Sequence, residues 1–462
     1  MFRLRLITVL ALSLFAAGCA SYADRLREVR SSFYAGSVES ASIELDKFAA
    51  KYGRESEVLK LDRAMAELVA GRPKNTEQIL REVRDTLDHN AQLDLLEKAG
   101  SMLTDDTHTA YSGEDYEKIL IRAFLALSNL MTGGEDAYSY ALQTSDFQER
   151  IIQTGVDASG QNPKLAYERV ALGEYIHGMI QEANHIDYND AARCWTKVCS
   201  WEKGFIYGPG DVDRASHGHH SRQGDGVLYV FTLVGRGPYK VEAVDVPTTV
   251  AMTLATAIMA NNSRHAAPIS LAPIKVPKVI VYPNSMTTVH VSVDHREAGV
   301  TSTITDVGRL AVQQYMAVYP RVLARAVVRR ALKEGMVYAA KEGIKSSNKH
   351  SGTVAVLAEI GGLVGAYAWE ASESADTRCW GLLPDRIQVV RLEMPAGEHR
   401  IGLHPQGSYG GSAETEKLVH IEDGRNTYML ATFVDGKLIG NVLTSDGDRA
   451  GPPPPAAKLA KR

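Results

Sequence analysis

The sequence predicts an α+β multidomain protein, with an α-helical N-terminal half and an α+β C-terminal half that ends in antiparallel β-hairpins. Between residues 21 and 201, apolar residues recur at the three- and four-residue spacing of one helix face. From residue 227 onward, apolar and polar residues alternate as in strands, and turn-forming glycines separate the runs. The length of 462 residues allows two or three domains.

The first nineteen residues carry the features of an export signal. Two arginines precede an apolar run over residues 6–17, and Ala16, Ala17 and Gly18 then lead to Cys19. This junction resembles the lipobox of bacterial lipoproteins, which implies lipid attachment at Cys19 and, with Ala20 following, the periplasmic face of the outer membrane. Cleavage by ordinary signal peptidase is the alternative, because Ala16 stands where Leu is usual. The run is too short for a transmembrane anchor.

Composition and charge exclude some partners and leave the state of the thiols open. The chain is 45% hydrophobic and 23% charged with a net charge of −4, which gives no global field favouring nucleic acid. After acylation of Cys19, an odd number of thiols remains at Cys194, Cys199 and Cys379. A disulfide to Cys379 is an alternative, but three buried thiols are favoured.

The helical half carries a repeat pattern. Gly36 and Gly71 end two predicted helices at close to the ~34-residue tetratricopeptide period. The clearest copy has packing positions at Tyr175, Tyr188, Ala191, Trp195 and Val198. This half resembles an irregular tetratricopeptide array, and a generic helical bundle is the alternative. Either one is a scaffold that offers a surface to a peptide or a partner's helix.

Residues 202–226 are rich in glycine and predict a linker. Within it, His217, His219 and His220 are candidate ligands for zinc or copper. A glycine-rich loop holds ligands poorly at fixed angles, so a solvated loop is favoured. No cofactor is expected.

The segment after the linker predicts a strand over 227–234, a turn from Gly235 to Pro238 and a partner strand over 240–244. Further elements are a helix over 249–259, strands over 279–282 and 288–293, and a helix over 306–340 that Pro320 kinks or breaks. An apolar run over 354–369 predicts a buried helix.

The long helix has a basic face. Arg321, Arg325, Arg329 and Lys333 recur every four residues, with Leu323, Val327 and Ala331 roughly opposite. This stripe could contact an anionic wall polymer or lipid headgroups, although a solvated helix face is the commoner meaning of such a pattern.

The C-terminal part predicts a compact antiparallel sheet. Strands over 387–392 and 399–403 are joined by Pro395 to Gly397, and strands over 417–421 and 427–434 by Asp423-Gly424. Asp435-Gly436 then predicts a tight hairpin into 437–443. The last residues are proline-rich and predict a disordered tail.

A set of short motifs resembles a known group of proteins. These motifs contain Gly235, Gly237, Pro238, Lys240, Asp376, Arg378 and Trp380. Their order resembles a poorly characterised family of bacterial tetratricopeptide-like envelope lipoproteins. The resemblance implies an envelope protein with no known reaction. The expected parts are a signal peptide (1–18), a repeat domain (19–201), a linker (202–226), an α+β domain (227–385), a hairpin module (386–446) and a tail (447–462). The alternative for the hairpin module is that it forms part of the preceding domain.

Two classes of function follow. The favoured one is a lipid-anchored, non-enzymatic envelope scaffold that binds a protein partner, in cell-wall or outer-membrane assembly. The alternative is an envelope hydrolase or metal-dependent enzyme that uses the loop from His217 to His220, or carboxylates near Asp376 such as Glu373.

Overall fold

The structure, a computed structural model, describes residues 21–97, 110–157, 160–262, 271–347, 374–408 and 414–445. Cys19 with its signal peptide, the apolar run over 354–369, Glu373 and the tail over 447–462 lie outside these ranges. Within them, twelve α-helices and three sheets confirm the mixed α+β class. No helix of the described ranges combines the length and hydrophobicity that a bilayer crossing requires.

The N-terminal half is a layer of helices in which each main helix packs on the next. Gly36 and Gly71 end two of them with φ of 92° and 89°, a left-handed conformation that glycine adopts without a steric penalty. The helices are α1 (Tyr22–Arg25), α2 (Arg27–Tyr34), α3 (Val38–Lys51), α4 (Ser56–Val69), α5 (Pro73–Glu97), α6 (Asp115–Leu130), α7 (Ala137–Gln153), α8 (Leu172–Ala183), α9 (Tyr188–Trp201) and α10 (Gly208–Ser216).

Helix α10 corrects the prediction of a loop over 202–226. Pro209 lies in its first turn, where the missing N–H costs no hydrogen bond. Ala215 and Asp211 are buried on its inner face, and α10 packs on α9. The glycines of this stretch therefore flank or begin a helix as well as forming turns.

The C-terminal half contains eleven strands and two further helices within the described ranges. They are β1 (Asp225–Val234), β2 (Tyr239–Asp245), α11 (Thr249–Asn262), β3 (Ile274–Ile280), β4 (Met286–Val293), β5 (Arg296–Val300), β6 (Ser302–Asp306), α12 (Val307–Ser347), β7 (Arg386–Pro395), β8 (Gly397–Gly407), β9 (Thr415–Ile421), β10 (Asn426–Val434) and β11 (Lys437–Thr444). Helix α12 continues through Pro320, so the alternative of a break is wrong.

Strand β1 is the centre of the fold. It lies within a five-stranded sheet of order β11-β10-β1-β7-β6, parallel to β10 and antiparallel to β7. One face of β1 presents Tyr229 and Phe231 to the helical layer, where both rings contact Tyr175. The other face presents Leu228 and Val230 to a four-stranded sheet of order β5-β4-β8-β9. Helices and two sheets therefore form three layers.

Three predicted strand pairings are wrong, because partner strands come from distant parts of the chain. Strand β2 pairs with β3 instead of β1, since the Gly237 amide bonds to the Leu383 carbonyl and directs the chain out of the sheet. Strands β7 and β8 lie in different sheets, as do β9 and β10. Such corners let consecutive strands cover both sides of one core.

The Asp435-Gly436 hairpin between β10 and β11 is confirmed. Both turn residues have positive φ, of 50° and 78°, as a two-residue hairpin turn of this kind requires. A second two-residue turn with positive φ, at Asp294 and His295, joins β4 to β5. That hairpin was not predicted.

Two further observations concern the predicted domains. Strand β3 packs with α11 and α12 around a small separate core, which buries Leu323 and Val327, and Ala331 is also buried. The helical layer and the five-stranded sheet instead share one continuous core. The predicted boundary between residues 201 and 227 stays a prediction.

Candidate functional site

The most unusual feature of the molecule is a buried segment without regular secondary structure. We call residues 374–385 the threaded segment. Residues 377–385 are all buried, and their chain runs between the helical layer and β2. A buried irregular chain needs hydrogen-bond partners for its amides and carbonyls, and here side chains and turn backbone supply them.

Two buried carboxylates accept backbone N–H groups of the threaded segment. Asp62 on α4 accepts from the Leu382 amide at 2.9 Å, and Glu117 on α6 accepts from the Trp380 amide at 2.7 Å. Both carboxylates are 0% exposed. The helical layer therefore holds this segment largely through its main chain.

The pKa values of these two carboxylates are raised above those of exposed carboxyl groups. Burial raises the pKa of Asp62 to about 7, although the hydrogen bond from Leu382 opposes this shift. Burial, with the nearby charge of Glu114, also raises the pKa of Glu117. Glu117 is further tied to the hydroxyl of Tyr111, which donates to it. Charged forms of both groups are costly here because burial removes them from water, and the charges of Arg30 near Asp62 and of Lys240 near Glu117 offset this cost only in part.

The predicted motif residues meet at the threaded segment. The Gly237 amide donates to the Leu383 carbonyl at 2.8 Å, and a β-carbon on Gly237 would lie only 2.3 Å from that oxygen. Gly235 has φ of 79° and adjoins Asn284, whose side chain donates to Asp385. These glycines permit a close approach of two backbones. Pro238 is buried beside them.

The charged motif residues also lie around the threaded segment. Arg378 donates to Asp376 through two nitrogens, at 2.9 and 2.7 Å. Lys240 is 6% exposed and bonds to Glu114. Trp380 is completely buried, with its ring 5.6 Å from that of Phe124. The motif residues therefore form part of the contact between the threaded segment and the helices.

The predicted repeat-packing residues lie at the crossing of α8 and α9. Tyr175, Ala191, Trp195 and Val198 are each 0% exposed, and Tyr188 is half-buried. The rings of Tyr175 and Trp195 meet edge to face at 4.9 Å. Helices α8 and α9 can approach each other closely because residue 178 is glycine. A β-carbon added there would lie 3.0 Å from the β-carbon of Cys194.

A second cluster of buried charges beside this crossing was not predicted. Glu182, 0% exposed, accepts two bonds from Arg214, at 2.7 and 2.9 Å, and one from the Trp195 indole at 3.1 Å. Asp211 also accepts from Arg214, and burial raises its pKa to about 6. The three-residue spacing of Asp211 and Arg214 would have indicated their pairing.

The three histidines of the predicted metal loop do different things. His217 is exposed, with Nδ1 2.8 Å from the Asp213 carbonyl, and His219 is also exposed. His220 is buried, with Nε2 2.8 Å from the Asn426 side chain. These three do not form a ligand cluster among the described residues.

The cysteines have clear positions. Cys194, Cys199 and Cys379 are free, so no disulfide joins them. Cys194 and Cys379 are buried, and Cys199 is half-buried.

The basic stripe on α12 has mixed exposure. Arg325 is exposed, and Arg321 donates to the Gly155 carbonyl at 3.4 Å. Arg329 is half-buried, and the Lys333 side chain lies outside the described part of the chain.

The carboxylates proposed for hydrolysis do not form a pair in the described ranges. Asp376 is engaged by Arg378, and Glu373 lies outside those ranges. The site is therefore one where carboxylates accept main-chain N–H groups and hold a polypeptide segment.

Comparisons with protein-family models, with curated proteins and with solved structures found no match to this chain.

Proposed function

We propose that this protein is a lipid-anchored scaffold of the bacterial envelope that binds protein partners through its helical layer. The observation that supports the proposal is the threaded segment. The helices hold an irregular stretch of polypeptide by accepting its main-chain N–H groups, at Asp62 and Glu117. A surface of packed helices suits an extended chain or a partner's helix in the same way.

The finer parts of the proposal come from the sequence. The helices are tetratricopeptide-like repeats, Cys19 carries the lipid, and the protein faces the periplasm from the outer membrane, where it serves cell-wall or outer-membrane assembly. The stripe of Arg321, Arg325, Arg329 and Lys333 contacts anionic wall or lipid. Tethering raises the local concentration of scaffold and partner, so that weak contacts become effective.

The partner occupies a part of the helical layer that the protein's own chain leaves open. Three of the large apolar side chains that are exposed in the helical half serve to locate it. They are Ile43 at 56%, Leu165 at 70% and Ile186 at 86%. These positions accept a photo-crosslinking residue without disturbing the core.

The test is photo-crosslinking in intact bacterial cells. A photo-crosslinking residue replaces Ile43, Leu165 or Ile186. As controls, the same residue replaces Glu297 or Glu398, which are exposed positions in the four-stranded sheet. We expect protein adducts from the helical positions and none from the controls. Adducts of equal strength from both surfaces, or none from either, would contradict a helical partner surface.

The lipid anchor is tested separately. Cys19→Ser removes the acylated thiol, so we expect the protein to leave the membrane fraction while its thermal unfolding stays unchanged. A Cys19→Ser protein that remains in the membrane fraction would disprove the anchor and leave the partner surface untouched.

A further inference from the structure

Four metal-ligand side chains meet at the crossing of α8 and α9, away from the threaded segment. Glu174 and His177 are three residues apart, on one face of α8, and Cys194 faces them from α9. One carboxylate oxygen, one imidazole nitrogen and the sulfur all lie within 4.8 Å of one another, and all three residues are buried. Asp190 adds a carboxylate oxygen 3.0 Å from His177 Nε2.

The close crossing of the helices explains why these groups converge. Gly178 allows α9 to approach so closely that a β-carbon there would touch Cys194 and the Trp195 ring, at 3.0 and 3.2 Å. A larger residue would separate the helices and take Cys194 away from α8.

Two ligand atoms at this crossing lack a hydrogen bond within the described structure. Glu174 is 1% exposed; its Oε1 accepts from Lys197 Nζ at 2.9 Å, while its buried Oε2 has no hydrogen-bond partner. His177 Nε2 is also buried without an aligned hydrogen bond, despite the nearby Asp190 oxygen. Leaving a buried polar atom unpaired destabilises the folded state. A cation between these atoms would satisfy both.

We propose that Glu174, His177, Cys194 and Asp190 form a site for a divalent zinc-type cation. Thiolate, imidazole and carboxylate are all groups that bind zinc in four-coordinate protein sites. Ligand atoms around zinc stand about 3.4 to 3.8 Å apart, given bonds of ~2.0 to 2.3 Å. Glu174, His177 and Cys194 need to contract by about 1 Å to reach this geometry, and the Asp190 oxygen needs to move about 0.4 Å away from His177.

Groups around the four ligands suit this role. Gln181 and Arg193 donate to Asp190, at 3.0 and 2.7 Å, and fix its orientation as outer partners of ligands do. Lys197 is 53% exposed at the rim, so the site opens to solvent on that side. Binding breaks the S–H bond of Cys194, and the proton leaves to solvent as the zinc–sulfur bond forms.

The test uses the purified full chain, treated with a chelator and then titrated with Zn²⁺ against a chromophoric competitor. We expect one ion per chain. Co²⁺ added to the same protein should give a thiolate-to-cobalt charge-transfer band, which reports directly on Cys194. Cys194→Ser should abolish the band, and Cys194→Ser and His177→Gln should each weaken Zn²⁺ binding by at least about tenfold.

Two controls separate this site from other thiols and histidines. Cys199→Ser changes the neighbouring half-buried thiol, and the pair His217→Asn and His219→Asn changes the exposed loop; both should bind Zn²⁺ as the parent does. Asp190→Asn changes a proposed ligand at the rim and leaves the core unchanged, so it should weaken Zn²⁺ binding. The proposal is wrong if the parent binds no stoichiometric Zn²⁺, if Cys194→Ser and His177→Gln bind it unchanged, or if the loop variants remove it. Apo-protein melting curves show whether each variant folds.

Discussion

Asp62 and Leu382 are separated by 320 residues in the chain, and the Leu382 amide donates to the buried Asp62 carboxyl at 2.9 Å. This bond joins the helical layer to the threaded segment, and Glu117 makes the equivalent bond to Trp380. The first two predictions concern Asp62.

Asp62→Ala should destabilise the protein by about 1–3 kcal/mol, because it leaves the Leu382 N–H buried without an acceptor. The measurement is urea unfolding, and the control is Asp46→Ala, since the Asp46 side chain is 48% exposed and pairs with Arg63 at the surface. The control should change stability by less than about 0.5 kcal/mol. Equal effects of the two variants would show that the buried bond contributes nothing.

Asp62→Asn should change how stability depends on pH. The pKa of Asp62 is raised to about 7 in the folded protein, against ~3.9 in an unfolded chain. The folded state therefore keeps a proton that the unfolded state releases. The stability linked to this group is fully present below pH ~4 and is lost as the pH rises to about 7.

Because Asn cannot titrate, the stability of Asp62→Asn relative to the parent should rise with pH across that window, by at most about 1.4 kcal/mol per pH unit. Above pH ~7 the difference should be constant. Glu117 is present in both proteins, so its own raised pKa does not alter the sign of the comparison. A difference that stays flat or falls from pH 4 to 7 would contradict a buried, protonated Asp62.

Gly237→Ala should destabilise the protein by at least about 2 kcal/mol. The new β-carbon would meet the Leu383 carbonyl at 2.3 Å and force the threaded segment away. Gly210→Ala is the control, since a β-carbon there has nothing within 4 Å and lies in helix α10. That control should be neutral or stabilising. Thermal unfolding of both variants gives the comparison.

Gly440→Ala tests the contact of the last strand with the helical layer. Gly440 in β11 has φ of 67°, and an added β-carbon would lie 2.0 Å from the Val69 carbonyl at the end of α4. Gly424 has nearly the same φ, 69°, but only the His185 ring lies near it, at 3.9 Å.

Both alanine variants carry the cost of a left-handed conformation, about 1–2 kcal/mol. Gly440→Ala should cost at least ~2 kcal/mol more, because only it also clashes with backbone. Equal losses in denaturant unfolding would mean that β11 is not held against α4.

Local features of the sequence were sufficient for the class of the elements. Apolar spacing identified the helical half, and Asp435-Gly436 identified a hairpin, because a two-residue turn fixes its own strand pairing. Strands β7 to β10 are recognised as strands, but the predicted pairings of β7 with β8 and of β9 with β10 are wrong, while β10 pairs with β11 as predicted. Pairing is decided by burial on both sides of β1, and distant residues supply that burial.

The candidate site was only partly predictable, for a different reason. The motif from Asp376 to Trp380 was identified, but Asp62 and Glu117 were missed. Each is one of several charged residues on its helix, and sequence periodicity assigns such residues to an exposed face. Their role depends on a segment far along the chain that has no periodicity of its own.

Strand β1 pairs with β10 on one side and β7 on the other. Both partners are made long after β1, so a chain growing from its N-terminus has a central strand with two open edges until its final strands arrive. The helices that pack on β1 also need the complete sheet to bury their apolar faces. We therefore expect the N-terminal half to stay open to proteolysis until synthesis is almost finished, and to become compact in one late step.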